Sequence, residues 1–310
     1  MKYCPITFDI IRDNENYSRR GLHLLSPQLN HLAPLQLSAS DQRMEAITRV
    51  GKMSIQGIQP KLSAQLKVKE GYFEIVDQNG RYILKPQNEY YPELPENEAL
   101  TMSLAACIDI ETPIHGLLYS IDGSMTYFVK RFDRAGHNKK IALEDFAQLS
   151  GMDRQTKYDS SMEKVIKVIS EHCTFPKIEF VKFFRLTIFN FLIGNEDMHL
   201  KNFSLISRDQ KITLSPSYDL LNSTIAMTNA REEMALSLNG KKNNLKKNDI
   251  IDYLGKERLG LNENIINSVL QEFTKAIPYW NKLIGRSWLS HHMQEKYLAL
   301  LNERYNKILF

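Results

Sequence analysis

The sequence predicts an α+β protein of two lobes, with an antiparallel β-rich N-terminal lobe and a mainly helical C-terminal lobe. Short runs of alternating apolar residues, separated by turn signals, dominate residues 51–129. Apolar residues at three- and four-residue spacing recur through much of residues 130–310. The length of 310 residues is enough for two domains of roughly 100–200 residues each.

Composition and charge narrow the class of protein. Hydrophobic residues make up 43% and charged residues 25% of the chain, which is typical of a globular protein. The formal net charge of +4 is compatible with an anionic ligand and does not require nucleic acid. The three cysteines are widely spaced, so we expect free thiols rather than a disulfide or a zinc site.

The sequence also lacks the patterns of export and membrane insertion. The start of the chain does not have the apolar stretch of a signal peptide. The densest apolar run, 188–193, is far shorter than the ~20 residues that a membrane helix needs. We therefore expect a soluble, cytoplasmic protein.

The N-terminal part of the chain divides into two segments. Prolines punctuate the first 50 residues and predict an irregular N-terminal segment. Residues 51–129 predict the N-terminal lobe, with three strands, an inserted helix and a hairpin. In chain order, these elements are 63–68, 71–76, 82–85, a helix from Glu96 to about Ile108, and 117–120 paired with 125–129 about Asp122-Gly123.

Residues 130–310 predict the helical C-terminal lobe. Between its helical blocks, 203–207 and 211–214 predict a β-hairpin whose turn is Arg208-Asp209-Gln210. The apolar spacing is helical in four blocks, which are 143–149, 162–169, 178–193 and about 250 to the end of the chain.

The strongest chemical signal lies between Gly194 and Phe203. Asp197 is followed five positions later by Asn202, which opens a predicted strand. Phosphoryl transfer from ATP uses such a pair, because the Asp orients the attacking hydroxyl and accepts its proton while the Asn holds magnesium. Antiparallel pairing of the hairpin returns the chain close to Asn202, and Asp219 is the next acidic residue. Two oxygen ligands at one point suit magnesium.

A structural interpretation of the same residues is that Asp197 caps a turn and Asp219 caps a helix. Each residue taken singly favours this alternative. Their order, the hairpin between them and the apolar helix before them favour the catalytic interpretation.

Lys85 ends a predicted strand, where a lysine can reach the α- and β-phosphates of ATP. Glu98, in the first turn of the next helix, is the best candidate to orient it, and Glu96 is the second choice. The alternative to a nucleotide site is that Lys85 is a solvated lysine at the edge of the sheet and that Glu98 is a surface acid that interacts favourably with the helix dipole. Residues 52–62 match neither the Walker loop nor the glycine-rich kinase loop, although backbone N–H groups and Lys61 are compatible with phosphate binding.

Taken together, these residues resemble the HipA family of toxin kinases, from about Ser54 to beyond Gly240. HipA carries an additional N-terminal subdomain of about 100 residues, within the usual range of a small domain, and too few residues precede Ser54 to hold it. The chain therefore resembles HipT, the shortened kinase of the three-part HipB–HipS–HipT modules. The segments that carry the resemblance are Ser54–Lys61, Tyr82–Pro86, Glu96–Glu98, Val129–Arg134, Asp197–Asn202, Tyr218–Leu221 and Met234–Gly240.

The resemblance implies a two-lobed, protein-kinase-like fold that binds ATP and Mg²⁺. Asp197 would be the catalytic base, and Asn202 and Asp219 would be catalytic residues that hold the metal. ATP would be contacted by the phosphate loop, the strand lysine with its carboxylate, the hinge and the catalytic loop. These implied contacts are Ser54, Gln56, Gly57, Gln59, Lys61, Lys85, Glu98, Lys130, Arg131, Phe132, His199 and Lys201.

The resemblance also implies self-regulation through Ser54, as an autophosphorylation site. A phosphate there would add about −1.5 to −2 charges beside those of ATP and weaken nucleotide binding. HipT proteins can have two serines in this loop, but Gln56 stands at the second position here. A second regulatory phosphate is therefore impossible at that position.

The implied partners are three proteins. A HipB-like helix-turn-helix antitoxin would bind the operator, and a small HipS-like protein would supply the missing subdomain, with the first 50 residues as its candidate docking segment. The implied substrate is a serine of a host translation enzyme, an aminoacyl-tRNA synthetase. Two alternatives stay open from the residues: a small-molecule kinase on the same scaffold, and an inactive kinase that serves as a scaffold.

Overall fold

The computed structural model describes residues 1–49, 59–136, 139–152, 158–227 and 232–309. The chain divides into two compact units, each assembled from separate stretches of sequence. Unit 1 comprises Met1–Leu100, Pro113–Asn138 and Gly285–Ser290. Unit 2 comprises Thr101–Thr112, Lys139–Ile284 and His291–Phe310.

The first 49 residues belong to unit 1 and contain regular structure. They form two paired strands and two helices, which are β1 (Lys2–Tyr3), β2 (Ile10–Ile11), α1 (Arg19–Leu25) and α2 (Ala39–Arg49). Ser18 caps α1, because its side chain accepts a hydrogen bond from the Gly21 N–H at 3.0 Å. The prediction of an irregular segment is wrong here, because helices of two or three turns contain too few apolar repeats to be recognised from periodicity.

A five-stranded antiparallel sheet forms the centre of unit 1, in the spatial order β4-β3-β5-β7-β6. Its register places Lys85 opposite Tyr127. Buried side chains from the first 49 residues, including Cys4, Leu22 and Leu29, share one core with this sheet. The predicted antiparallel sheet with an inserted helix is confirmed. Its elements are β3 (Leu62–Lys67), β4 (Tyr72–Ile75), β5 (Tyr82–Lys85), α3 (Leu94–Ala106), β6 (His115–Tyr119) and β7 (Met125–Lys130).

The remainder of the chain is mainly helical, as predicted. Its elements in chain order are β8 (Arg134–Ala135), β9 (Lys139–Lys140), β10 (Leu143–Asp145), α4 (Phe146–Leu149), α5 (Met162–His172), α6 (Pro176–Ile193), a 3₁₀ turn (Leu200–Asn202), β11 (Ser204–Arg208), β12 (Lys211–Leu214), α7 (Ser223–Ala226), a π-helix (Asp249–Arg258), α8 (Glu263–Arg286) and α9 (His291–Ile308). The hairpin β11–β12 has the predicted antiparallel pairing, with Arg208 opposite Lys211.

One predicted helix is different in the structure. Residues 143–149 begin as β10, which pairs with β11, and become helical only at Phe146. Asp145 sets this boundary, because its side chain accepts a hydrogen bond from the Gln148 N–H while the Gln148 side chain bonds back. The apolar spacing of residues 143–149 fits a helix, and it fits equally well a short strand followed by one helical turn. The spacing alone therefore could not separate the two.

Helix α6 is the central element of unit 2. Pro176 occupies its first turn, and its aromatic side chains Phe183, Phe189 and Phe191 are fully buried. Trp280 of α8 packs edge-on against Phe189, with 5.6 Å between the ring centroids. This core holds the C-terminal end of α6 in place. In the described part of the chain, no helix combines the length and apolar character needed to cross a membrane.

Candidate active site

The end of α6 determines where the predicted catalytic segment starts. Gly194 ends the helix with a φ of 70°, a left-handed conformation that favours glycine. A Cβ atom at this position would lie 2.5 Å from Leu300 Cδ2. The Gly194 carbonyl also accepts hydrogen bonds from the Thr224 N–H at 3.1 Å and from Thr224 Oγ1 at 2.9 Å. The direction in which the backbone leaves α6 is therefore fixed, because Leu300 fills the space beside Gly194 and Thr224 binds the Gly194 carbonyl.

Asp197 is held by its backbone while its side chain reaches the surface. The Asp197 N–H donates to Asn195 Oδ1 at 3.1 Å. The Asp197 carbonyl accepts two hydrogen bonds, one from the His199 N–H and one from Asn202 Nδ2, both at 2.8 Å. The side chain is 48% exposed, so a substrate hydroxyl can approach the carboxylate.

Asn202 is oriented by the same loop. Because its Nδ2 donates to the Asp197 carbonyl, its Oδ1 is turned away from that carbonyl. The side chain is nearly buried, which limits the number of rotamers open to it. A fixed amide oxygen beside a half-exposed carboxylate has the donor chemistry of a magnesium ligand in a kinase.

Tyr218 connects the segment that carries Asp219 to the segment that carries Asn202. Its hydroxyl donates to the Lys201 carbonyl at 2.9 Å, and the Ser204 hydroxyl lies 2.5 Å from the same oxygen. Burial raises the pKa of Tyr218, so its hydroxyl stays protonated and remains a donor. Residue 218 therefore lies beside the residues that flank Asn202. Asp219 follows with a φ of 53°, which Asp tolerates better than most residues.

Asn202 and Asp219 carry oxygen donors, the type of ligand that magnesium takes. Among the described residues, no group of three or more His, Cys, Asp and Glu side chains is placed to hold a metal ion. Magnesium needs only one or two protein ligands when substrate phosphates and water complete its shell. Asn202 and Asp219 satisfy that requirement by residue type, and their direct convergence on one ion stays a prediction.

Lys85 and Glu98 form a buried ion pair in unit 1. Lys85 Nζ lies 2.5 Å from Glu98 Oε1, and the side chains are 3% and 4% exposed. Lys85 Nζ also lies 5.4 Å from the centroid of the Tyr127 ring, within the range of a cation–π contact. The carboxylate that pairs with Lys85 is thus Glu98, the first choice from the sequence, and its role toward a nucleotide stays a prediction.

Glu96, the second choice, has a separate environment. Its Oε1 accepts a hydrogen bond from Gln87 Nε2 at 2.6 Å, and the same amide also donates to the Met125 carbonyl. Burial raises the pKa of Glu96 to about 7, and the Gln87 hydrogen bond opposes this rise.

The other predicted nucleotide contacts fall in three places. Ser54, Gln56 and Gly57 lie outside the described residues. Gln59 and Lys61 are partly buried immediately before β3. His199 is buried, and Lys201 is partly buried in the 3₁₀ turn.

The predicted hinge, Lys130 to Phe132, begins at the last residue of β7 in unit 1. The Lys130 N–H donates to the Ile114 carbonyl at 2.7 Å. The Arg131 guanidinium binds both carboxylate oxygens of Asp133, at 3.0 and 2.8 Å. Although burial alone raises it, the pKa of Asp133 is lowered overall by Arg131, so the carboxylate stays ionised. The Arg131 guanidinium is therefore already bound to a neighbouring carboxylate.

One site residue was missed by the sequence analysis. Tyr158, which precedes α5, donates a hydrogen bond from its hydroxyl to Asp197 Oδ1. Its ring also packs edge-on against the His199 ring, with 4.9 Å between centroids. The two partners are 39 positions apart, and a single tyrosine outside any motif gives no sequence signal for this contact.

The fold and these residues define a class of protein. A β-sheet unit with a buried Lys–Glu pair and a mainly helical unit with a loop from Asp197 to Asn202 are the parts of a kinase-like fold. Solved structures agree at the level of fold. HipA of Shewanella oneidensis, solved with HipB and its operator DNA, covers 91% of this chain and 73% of its own, with 18% identity and a TM-score of 0.68. The proinflammatory kinase CtkA of Helicobacter pylori covers 74% of this chain and 87% of its own, with 18% identity and a TM-score of 0.53.

The sequence comparison identifies the family. Residues 53–280 match the HipA-like C-terminal domain, and the chain belongs to this family. A relative from Haemophilus influenzae, named "Putative kinase", is 31% identical over 347 residues, which cover 100% of this chain and 97% of the relative. The serine/threonine-protein kinase toxin HipA of Shewanella oneidensis is 24% identical over 248 residues, 73% of this chain. That match spans only 56% of HipA.

Proposed function

We propose that this protein is an ATP- and magnesium-dependent serine/threonine protein kinase that acts as the toxin of a toxin–antitoxin system. The observation that carries the proposal is the loop from Asp197 to Asn202. In this loop the Asn202 amide donates a hydrogen bond to the backbone carbonyl of Asp197, whose carboxylate is half-exposed. Phosphoryl transfer requires chiefly positioning and charge stabilisation, and hydrogen bonds within this loop fix the Asp197 backbone and the Asn202 amide relative to each other.

Each residue of the site has a distinct role in the proposed reaction. Asp197 accepts the proton of the attacking serine or threonine hydroxyl. Asn202 Oδ1 and Asp219 hold the magnesium ion, which when bound neutralises negative charge on the phosphates. Lys85, held by Glu98, contacts the α- and β-phosphates. The ion pair compensates the charge of the buried ammonium, since a buried charge without a partner is strongly destabilising.

The family supports the biological part of the proposal. HipA of Shewanella oneidensis was solved with HipB and operator DNA, so we propose a HipB-like antitoxin as a partner of this chain. We also propose the shortened HipT type, with a HipS-like protein as second partner and Ser54 as the autophosphorylation site. An aminoacyl-tRNA synthetase in the cytoplasm is the proposed substrate.

A phosphate-transfer assay tests the enzymatic proposal. The protein is incubated with magnesium and γ-labelled ATP, alone and with a bacterial extract, and label in protein is counted. Removal of a general base typically costs 10²- to 10⁴-fold in rate, so Asp197→Asn should lose transfer by that amount. Asp209→Asn is the matched control, because Asp209 is exposed in the β11–β12 turn. Equal transfer by wild type and Asp197→Asn would contradict the proposal.

Growth and phosphoproteomics test the toxin part. Induced expression of the wild type should stop growth of a bacterial host, whereas Asp197→Asn should not. Phosphopeptides that depend on Asp197 identify the substrate, and their absence from every translation enzyme would refute the proposed substrate class. Phosphate on Ser54 in the wild type alone would support self-phosphorylation.

A further inference from the structure

Tyr158 makes a one-sided contact with the proposed catalytic base. Its hydroxyl donates to Oδ1 of Asp197. Within the described residues, no hydrogen bond reaches Oδ2 of the same carboxylate. The two oxygens are therefore inequivalent, because the protein holds Oδ1 through Tyr158 while the side chain as a whole is 48% exposed.

His199 packs against the ring of Tyr158 and lies close to the same carboxylate oxygen. Its imidazole is buried and packs edge-on against the Tyr158 ring, with an interplanar angle of 84°. His199 Nε2 lies 3.9 Å from the same Oδ1 atom of Asp197, and the His199 N–H donates to the Asp197 carbonyl. The phenol thus packs against a side chain that is itself fixed to the catalytic loop, which limits the directions from which its hydroxyl can reach Asp197.

The phenol also remains a donor at neutral pH. Burial raises the pKa of Tyr158, and the hydrogen bond to the Asp197 carboxylate raises it further. A hydrogen bond from a neutral donor to a carboxylate is among the stronger polar contacts in proteins. It is therefore suited to holding the carboxylate in one rotamer.

We propose that Tyr158 is a positioning residue for phosphate transfer, which fixes Oδ1 of Asp197 and leaves Oδ2 to accept the proton of the substrate hydroxyl. The inference rests on the proposed role of Asp197. In the step itself, the substrate O–H bond breaks and its proton passes to Oδ2. The substrate oxygen bonds to the γ-phosphorus as the bond between that phosphorus and the leaving oxygen of ADP breaks.

The test compares Tyr158→Phe with wild type in the transfer assay, over a range of ATP concentrations. The phenylalanine keeps the ring packed on His199 and removes only the hydroxyl. Because misplacing a reacting group is costly, we expect kcat to fall about tenfold or more. Tyr158 contacts the base and is not placed in the nucleotide site, so the KM for ATP should change by less than about twofold.

Tyr253→Phe is the matched control. The Tyr253 hydroxyl also donates to a carboxylate, Glu163 Oε1 at 3.0 Å, in the same unit. A general loss of stability would affect both variants, whereas a positioning role lowers kcat only in Tyr158→Phe. An unchanged or increased kcat in Tyr158→Phe, or an equal fall in Tyr253→Phe, would overturn the inference.

The double variant Tyr158→Phe with Asp197→Asn separates this inference from the proposed function. If Tyr158 acts through Asp197, the double variant should be no slower than Asp197→Asn alone. A further fall in the double variant would show that Tyr158 acts by another route and would overturn the inference. If Asp197→Asn retains full activity, the proposed function fails and this inference fails with it.

Discussion

The Lys85 ammonium lies 2.5 Å from the Glu98 carboxylate, and neither side chain is more than 4% exposed. Breaking a buried ion pair on one side leaves an uncompensated charge and costs about 3–5 kcal/mol. Glu98→Gln should therefore lower the free energy of unfolding by about that amount. The double variant Lys85→Met with Glu98→Leu should regain most of it, because two apolar side chains replace the pair. Urea denaturation measures both.

The exposed pair Lys67–Glu74 is the control for this prediction. Its side chains are 37% and 41% exposed, and such pairs often contribute nothing measurable. Glu74→Gln should leave the unfolding midpoint unchanged. If the double variant Lys85→Met with Glu98→Leu is as unstable as Glu98→Gln alone, an uncompensated buried charge is not the cause of the loss. In the phosphate-transfer assay the double variant should stay inactive, since stability is regained without the lysine.

The Tyr218 hydroxyl links the two chain segments that carry the proposed magnesium ligands, Asn202 and Asp219. Tyr218→Phe removes the bonds to the Lys201 carbonyl and to Ser204 Oγ. We expect the magnesium concentration for half-maximal transfer to rise at least about tenfold, since leaving the Lys201 carbonyl without its donor alone costs about 1–3 kcal/mol. Titrating magnesium at saturating ATP measures this shift.

Tyr297→Phe separates metal binding from general stability. The buried Tyr297 hydroxyl lies 2.9 Å from Thr101 Oγ1 in the same unit and is not part of the proposed site. Both variants should lower the melting temperature, and only Tyr218→Phe should move the magnesium titration. Equal magnesium curves for the two variants would show that Tyr218 has no special relation to the metal.

Gly194 allows a test of how the end of α6 positions the loop that carries Asp197. Gly194→Ala places a Cβ in a left-handed conformation and within 2.5 Å of Leu300 Cδ2. Gly240 has a similar φ of 72°, but nothing lies within 4 Å of its Cβ position. Gly194→Ala should therefore be less stable than Gly240→Ala by about 1–3 kcal/mol, the usual cost of overpacking. Thermal or urea unfolding compares them, and equal losses would mean that the contact with Leu300 relaxes freely.

Glu96 predicts a pH-dependent stability. Burial raises its pKa from the ordinary 4.5 to about 7 in the folded chain. Between these values the unfolded chain releases the proton and the folded chain keeps it, so stability from this group falls as pH rises through the window. Each pKa unit is worth about 1.4 kcal/mol, which makes the penalty about 3 kcal/mol above pH 7.

Glu96→Gln removes that penalty and keeps an acceptor for the Gln87 amide. The variant should be more stable than wild type at pH 8 and equal to it at pH 4, measured by urea denaturation at both values. Glu89→Gln, at an exposed position, gives the background for a carboxylate in solvent. A stability difference between Glu96→Gln and wild type that is the same at both pH values would contradict the burial argument.

Local relationships were predictable because few residues separate the partners. Asp197 and Asn202 lie within one turn of chain, so their spacing already limits where each can point. The β11–β12 hairpin follows from alternating apolar residues on either side of a turn signal, although the pairing of Arg208 with Lys211 leaves only Asp209 and Gln210 in the turn. Lys85 and Glu98 are 13 positions apart, at the end of a strand and the start of a helix, which are the positions that a kinase uses.

Where two structures share one apolar spacing, the pattern could not decide between them. Residues 143–149 were predicted as a helix, but pairing with β11 makes the first three a strand. Helices α1 and α2 were missed for a related reason. They are short and owe their stability to the core of unit 1, which contains Leu22 and Ala46.

The sequence by itself determined the class of fold, the family and the order of the chemical groups, because these depend on residue type, periodicity and short-range spacing. Only the tertiary structure decided which carboxylate pairs with Lys85, why Glu96 is hard to ionise, and that Tyr158 holds Asp197. Hydrogen bonds and burial between distant segments depend on how the whole chain packs, and no local pattern encodes that packing.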